Sequence, residues 1–391
     1  MDWTPPPEGE GAPEVKFTTA AFAGATTIFL VFGATASLYG PLLVTFAHHF
    51  HVSLPAAGAV VSVHFAGAVC GVPLAWAALR RYPGRPVLAG ALATMALGAA
   101  GAALARGFAE LLASVVVIGL GFGAMDFSLN SLLVRTAEIG RAHRLSVANA
   151  GYGIGAIVGP LLVILAHPAN YRLLYAVVGA AGLCLTASTG GVDAPPTTLA
   201  PPERQPHRRA ALGVFAAAYI LYVATESSAA AWIAPQLHGV GYSQSTGAVA
   251  TAGFWLGLAV GRFLAAPAHR RLSDRRLVLV GLAATAALAL VASADAVAPL
   301  AYPLAGLSLA LVYPMGLIWF TNLNPGDGGV LVILILTMMS GGVIGPALTG
   351  LAVSLAGVRA IPVCIAVFAG ADFAVFLAAR QFQAPAAREP G

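Results

Sequence analysis

Four ionisable side chains stand inside long apolar stretches of this 391-residue sequence: Asp126, Glu226, Arg262 and Asp372. A charged group within lipid costs at least about 2.5 kcal/mol on insertion scales, so each needs a task. Asp126 lies in GLGFGAMDFSLN, with Asn130 one turn further along the same helix face. A carboxyl group there can take up and release a proton, and the amide beside it can hold a polar solute. The structural reading of Asp126 is a pair with a basic group such as Arg262. Glu226, in Thr225-Glu226-Ser227-Ser228, has polar neighbours and is the second proton-coupling candidate. Its structural reading is a bond that steadies a bent helix. Arg262 follows Gly261 near the end of its run and can extend its stem toward the membrane boundary, which suits a gate or a helix cap. Asp372 is read as half of a structural pair.

Softer polar groups and aromatics supply candidate solute contacts: Asn130, Tyr39, His64, Tyr152, Tyr222, Trp255, Tyr313 and Asn322. His64, in SVHFAG, reads equally as a core histidine satisfied by a neighbour. Most membrane aromatics pack or form interfacial belts, and Trp232 is read that way. Trp255 is favoured as a solute platform because indole stacks well on sugar rings. Cys70, Cys184 and Cys364 are far apart and have no metal or redox spacing. The sequence has no G-x-x-x-x-G-K-[ST] loop, so nucleotide-driven work is excluded. No metal or cofactor is expected, and the proton is the expected coupling ion. The chain is not read as an enzyme.

The elements that must position these residues follow from composition. Only 35 residues are charged, 59% are hydrophobic, and the mean hydropathy is +0.84. A soluble surface, a disordered chain, a nucleic-acid binder and a disulfide scaffold are all excluded. Apolar runs fall near 20–46, 56–79, 86–105, 110–134, 146–167, 171–190, 211–235, 246–268, 277–294, 297–321, 329–354 and 360–379. They are continuous rather than alternating, so they read as twelve membrane helices and not as barrel strands. Of the 20 basic residues, 16 fall on one side, three on the other (Arg106, Arg172, Arg359), and Arg262 within a run. The rule that basic loops stay in the cytoplasm then places both termini there.

The Pro-rich stretch 191–209 splits the runs six and six. This gives a disordered cytoplasmic tail at 1–17, bundles at 18–190 and 210–380, a cytoplasmic linker at 191–209 and a second tail at 381–391. The bundles echo one another. Gly155-x-x-x-Gly159-Pro160 recurs 186 residues later as Gly341-x-x-x-Gly345-Pro346. GVPLAWAALRRYPGR from Gly71 is echoed by GRFLAAPAHRRLSDR from Gly261, and Phe65 and Trp255 are 190 residues apart. Repeated halves with a site between them suit alternating access. The glycines and prolines, Gly155, Gly159, Pro160, Gly345 and Pro346, read as packing and hinge elements.

On these features residues 18–380 resemble the major facilitator superfamily of transporters. The resemblance implies an all-α membrane protein of twelve helices in two pseudo-symmetric bundles. The Gly71 segment resembles that superfamily's loop signature G-x-x-x-D-R-x-G-R. Gly84 and Arg85 match it, and Arg81 stands where the aspartate belongs; Arg81 and Arg85 are therefore gate candidates. Within the superfamily, GLGFGAMDFSLN, NAGYGIGAIVGP and ATESSAAAWI are most similar to the fucose–proton symporter and its sugar-transporting relatives. In that branch the acid and the Asn four residues on serve substrate and proton, which here implies Asp126 and Asn130. The branch's acid in the first span has no counterpart in TIFLVFGATASLYGPLL.

The resulting expectation is a monomeric, multi-pass protein of a bacterial inner membrane. It would move a small polar solute, sugar or sugar-like, by proton-coupled alternating access, with the bilayer and that solute as its partners and no nucleic acid. The alternative is a proton-coupled exporter of drugs or metabolites, toward which the span-5 G-x-x-x-G-P pattern points because the superfamily's antiporters carry one.

Overall fold

A computed structural model describes residues 15–136, 141–196, 206–269, 271–323 and 328–382. The linker at 197–205 and the outer parts of both tails lie outside the described residues. Among those described, thirteen α-helices account for nearly all the structure. The first six are α1 (Thr19–His49), α2 (Leu54–Leu79), α3 (Gly84–Leu104), α4 (Phe108–Val134), α5 (Arg141–Ala166) and α6 (Tyr171–Thr186). The second set is α7 (Pro206–Gly239), α8 (Gln244–His269), α9 (Asp274–Val291), α10 (Ala298–Leu309), α11 (Val312–Leu323), α12 (Gly328–Ala356) and α13 (Ala360–Ala379).

Eleven spans are long and apolar enough to cross a membrane, α10 and α11 counting together as one. The helix α9, 18 residues long and opening on Asp274-Arg275-Arg276, makes the twelfth pass of the chain. Sequence reading gives a single run at 297–321, and the structure breaks it at Ala310–Leu311. The cause is Pro314, which has no N–H for the carbonyl of Ala310 and whose ring crowds that carbonyl. Hydrogen bonding resumes from Met315 N–H to Leu311 O at 3.3 Å.

The two bundles are built on one plan. In each, the first helix packs on the fifth and the second on the fourth: α1 on α5 and α2 on α4, then α7 on α12 and α8 on α10. Glycine makes these contacts close. Gly155 faces Leu30 O and Ala34 N with no room for a Cβ, and Gly341 faces Ile220 O and Ala224 N in the same way. The partner residues are themselves 190 apart, so the repeat read in the sequence is a repeat of contacts.

The end of the N-terminal arm and the start of the linker pair as a short antiparallel ladder, Lys16–Phe17 (β1) with Val192–Asp193 (β2). Gly84 N–H donates to Ala194 O at 2.8 Å, tying the α2–α3 turn to that linker. Arg81 and Arg85 on this turn are exposed, and Arg80 lies over Trp76 at 4.9 Å.

Contacts between the bundles gather on the face away from the termini. Gly40 meets Ala230 O, and Gly58 meets the ring of Trp232. Gln244 Nε2 donates to Pro41 O and to Thr45 Oγ1, both at 3.0 Å. Trp232, read from the sequence as a belt residue, is fully buried and donates from its indole to Pro346 O at 3.2 Å.

Candidate functional site

The N-terminal bundle contributes a chain of amide donors that ends on a carboxylate. On α4, Asn130 Nδ2 donates to Asp126 Oδ1 at 3.1 Å and to Asp126 O at 3.0 Å. From α5, Asn149 Nδ2 donates to Asn130 Oδ1 at 3.2 Å and to Leu145 O at 2.9 Å. The helical spacing of four makes the first link local, and the packing of α4 against α5 makes the second. Asn149 escaped the sequence reading. Its signal was its place three residues before Tyr152, on the same face of α5.

The C-terminal bundle contributes a phenol flanked by opposite charges. On α7, the Tyr222 hydroxyl donates to Glu226 Oε2, again over a spacing of four. Arg262, on α8, lies in electrostatic contact with both Tyr222 and Glu226. Tyr222 and Tyr313 rings face each other at 5.9 Å, and Tyr219 anchors Tyr313 by donating to its carbonyl at 3.0 Å. Tyr313 is the second residue of α11, so the break in the tenth pass sets where its ring lies.

The two bundles meet at Tyr152 and Trp255, whose ring centroids are 6.2 Å apart at 76°. Asp126, Glu226 and Arg262 all lie within electrostatic reach of both Tyr152 and Tyr313. One cluster therefore holds seven of the residues singled out in the sequence: Asp126, Asn130, Tyr152, Tyr222, Glu226, Trp255 and Arg262, with Tyr313 as an eighth. Asn149 and Arg262 are exposed, and both lie in the parts of their helices nearer the terminal face. Solvent thus reaches the cluster at these two residues, while contacts between the bundles gather on the other face.

The remaining candidates lie elsewhere. Tyr39 and His64 form a buried pair, hydroxyl to Nδ1 at 3.0 Å, with His64 edged against Phe122 and Phe65. Asn322 is exposed at the end of α11. Gly155, Gly159 and Gly345 make helix contacts with α1 and α7, and Pro160 is buried. Asp372 differs from the sequence expectation of a structural pair. It is fully buried on α13, and neither carboxyl oxygen has a hydrogen-bond partner among the described residues. No group of three His, Cys, Asp or Glu residues suited to a metal occurs among the described residues.

Comparison with solved structures identifies the architecture. A bacterial homologue of the human lysosomal transporter Spinster, inward-facing and unoccupied, has a TM-score of 0.75 at 16% identity, covering 93% of this chain and 97% of that one. A single-residue mutant of the nucleoside transporter NupG gives 0.74 at 12% identity, covering 93% and 100%. A D-xylose–proton symporter gives 0.74 at 13% identity, covering 94% and 98%. At such identities the likeness speaks for the fold. A search of curated proteins finds no match. The sequence itself matches the Major Facilitator Superfamily over residues 25–225, more than half of the chain. Twelve passes in two repeated bundles, a polar cluster between them and this match make the chain a member of the Major Facilitator Superfamily.

Proposed function

We propose that the protein is a proton-coupled secondary transporter that moves a small polar solute, sugar or sugar-like, by alternating access between its two bundles. The observation that carries this reading is Asp126. Its carboxylate faces the space between the bundles and has a single side-chain partner, the neutral amide of Asn130. No ion pair offsets its charge among the described residues, so a proton is the natural counter-charge when the site is sealed from water. Tyr152 and Trp255 offer ring faces to a sugar, and Asn130 and Asn149 offer amides to its hydroxyls. The likeness of the span-4, span-5 and span-7 motifs to the fucose–proton symporter branch supports the same class.

The excess of basic residues on the terminal side supports cytoplasmic termini in a bacterial inner membrane. The open side is then the inward one.

Asp126→Asn tests the reading in proteoliposomes. The variant is expected to lose pH-driven accumulation while keeping solute counterflow. Accumulation at the unaltered level would remove Asp126 from the mechanism. The second reading, export of drugs or metabolites, draws on the four rings Tyr152, Tyr222, Trp255 and Tyr313, which suit apolar cargo as well. Overexpression separates the two: an altered resistance profile marks export, and gain of growth on a carbon source marks uptake.

A further inference from the structure

We infer that the solute carries an acidic group, a sugar acid rather than a neutral sugar, and that Arg262 is the residue that holds it. This rests on the reading of the cluster as the solute site. Arg262 is the cluster's cation, and it does not behave as a boundary residue. Its guanidinium lies within electrostatic reach of Tyr222, Glu226 and Tyr313, so it faces the cluster. Neither Glu226 nor Asp126 is within ion-pair distance of it among the described residues; Glu226 acts on it only at longer range, with its carboxylate bonded to the Tyr222 hydroxyl. A guanidinium has five N–H donors in a rigid fork. No ion pair occupies that fork among the described residues, and the residue is exposed.

A cation placed so is matched by an anion that arrives and leaves. Carboxylate is the planar, two-oxygen partner that fits the fork. The rest of the cluster asks for hydroxyls and a ring. Asn130 and Asn149 present amides from the opposite bundle. Trp255 lies edge-on to Tyr152, and its buried indole N–H has no acceptor among the described residues. A hydroxylated ring bearing one carboxylate meets all three demands at once. A neutral sugar leaves Arg262 with only the more distant Glu226 carboxylate to offset it when the bundles close and water is expelled, which is costly for a buried charge.

The test uses purified full-length protein with D-glucuronate and D-galacturonate set against D-glucose and D-galactose. Thermal shift reads binding, and counterflow in proteoliposomes reads transport. At least one acid is expected to raise the melting temperature and to exchange, with its neutral partner inert. D-glucuronamide, which keeps the shape of glucuronate without its charge, is expected to compete at least about thirtyfold more weakly. That comparison leaves the protein unaltered, so it stands even if Arg262→Gln fails to fold. If the variant folds, it should lose the acid about thirtyfold, with Arg262→Lys intermediate.

Binding of a neutral sugar at equal strength by wild type and Arg262→Gln, with the acids inert, would overturn the inference and leave the transporter reading in place. Silence from all four compounds would overturn the inference and the sugar-like reading together. Loss of proton coupling in Asp126→Asn would still bear on the transporter mechanism separately.

Discussion

Tyr222 is where the opposite charges of the C-terminal bundle meet. Its hydroxyl donates to Glu226, and Arg262 lies in electrostatic contact with both. Hydrogen bonds to charged groups are worth about 1.5–3 kcal/mol each. Tyr222→Phe keeps the ring against Tyr313 and deletes that oxygen. On the proposed mechanism it is expected to cut proton-driven uptake by at least about tenfold, while lowering the melting temperature of the purified protein by only a few degrees. Equal flux in variant and wild type would show that the bridge has no part in transport. At this scale the sequence was most legible where chemistry is local. Spacings of four brought out Asp126 with Asn130, and the scarcity of charge brought out Glu226. Links between helices were not legible. Asn149 needs α5 laid against α4 before its amide has a task, and Tyr39 reaches His64 Nδ1 only through the packing of α1 on α2. Arg262 has a stem long enough to point either way, so its inward turn had to be seen.

Glycine placement governs the elements. Each bundle presses its first helix against its fifth at paired glycines, backbone against backbone, and the partner atoms leave no space for a side chain. Lipid supplies no hydrophobic drive between helices, so such close approach provides much of their association. Gly341→Val places two methyl groups against the carbonyl of Ile220 and the next turn of α7. The bundle must separate there, at a cost of about 3 kcal/mol or more. Gly155→Val is expected to do the same against Leu30. Thermal melts in detergent should show similar destabilisation for both, because the two sites repeat one contact. A large effect at one and none at the other would break the equivalence of the bundles. The twelve apolar runs made these helices legible, and so did the offset of 186 between the glycine motifs. The division of the tenth pass was not. Pro314 lay inside an unbroken apolar run, and prolines such as Pro41, Pro160 and Pro346 remain within continuous helices of the same protein. A break depends on whether neighbouring helices hold the freed carbonyl in line, which a run of letters does not record.

Across the whole molecule, the contacts between bundles join the face away from the termini, while the polar cluster stays accessible from the terminal face. Alternating access requires those contacts to part when the other side closes. Gln244 is the most specific of them, bonding both Pro41 O and Thr45 Oγ1 on α1 across the divide. Holding the two helices together should therefore stop the cycle without touching the solute site. A double variant, Thr45→Cys with Gln244→Cys, provides the handle, with Cys70, Cys184 and Cys364 replaced by Ala so that only the new pair reacts. A cleavable bifunctional thiol reagent spans the pair when this face is closed. Treated protein is expected to lose net flux and counterflow, since both need the site to reach the far side, and a reductant should restore them. Binding measured by thermal shift should survive the cross-link, because the cluster stays reachable from the terminal face. Continued flux in fully cross-linked protein would mean that this face never opens between α1 and α8, and the path of the solute would have to be sought elsewhere.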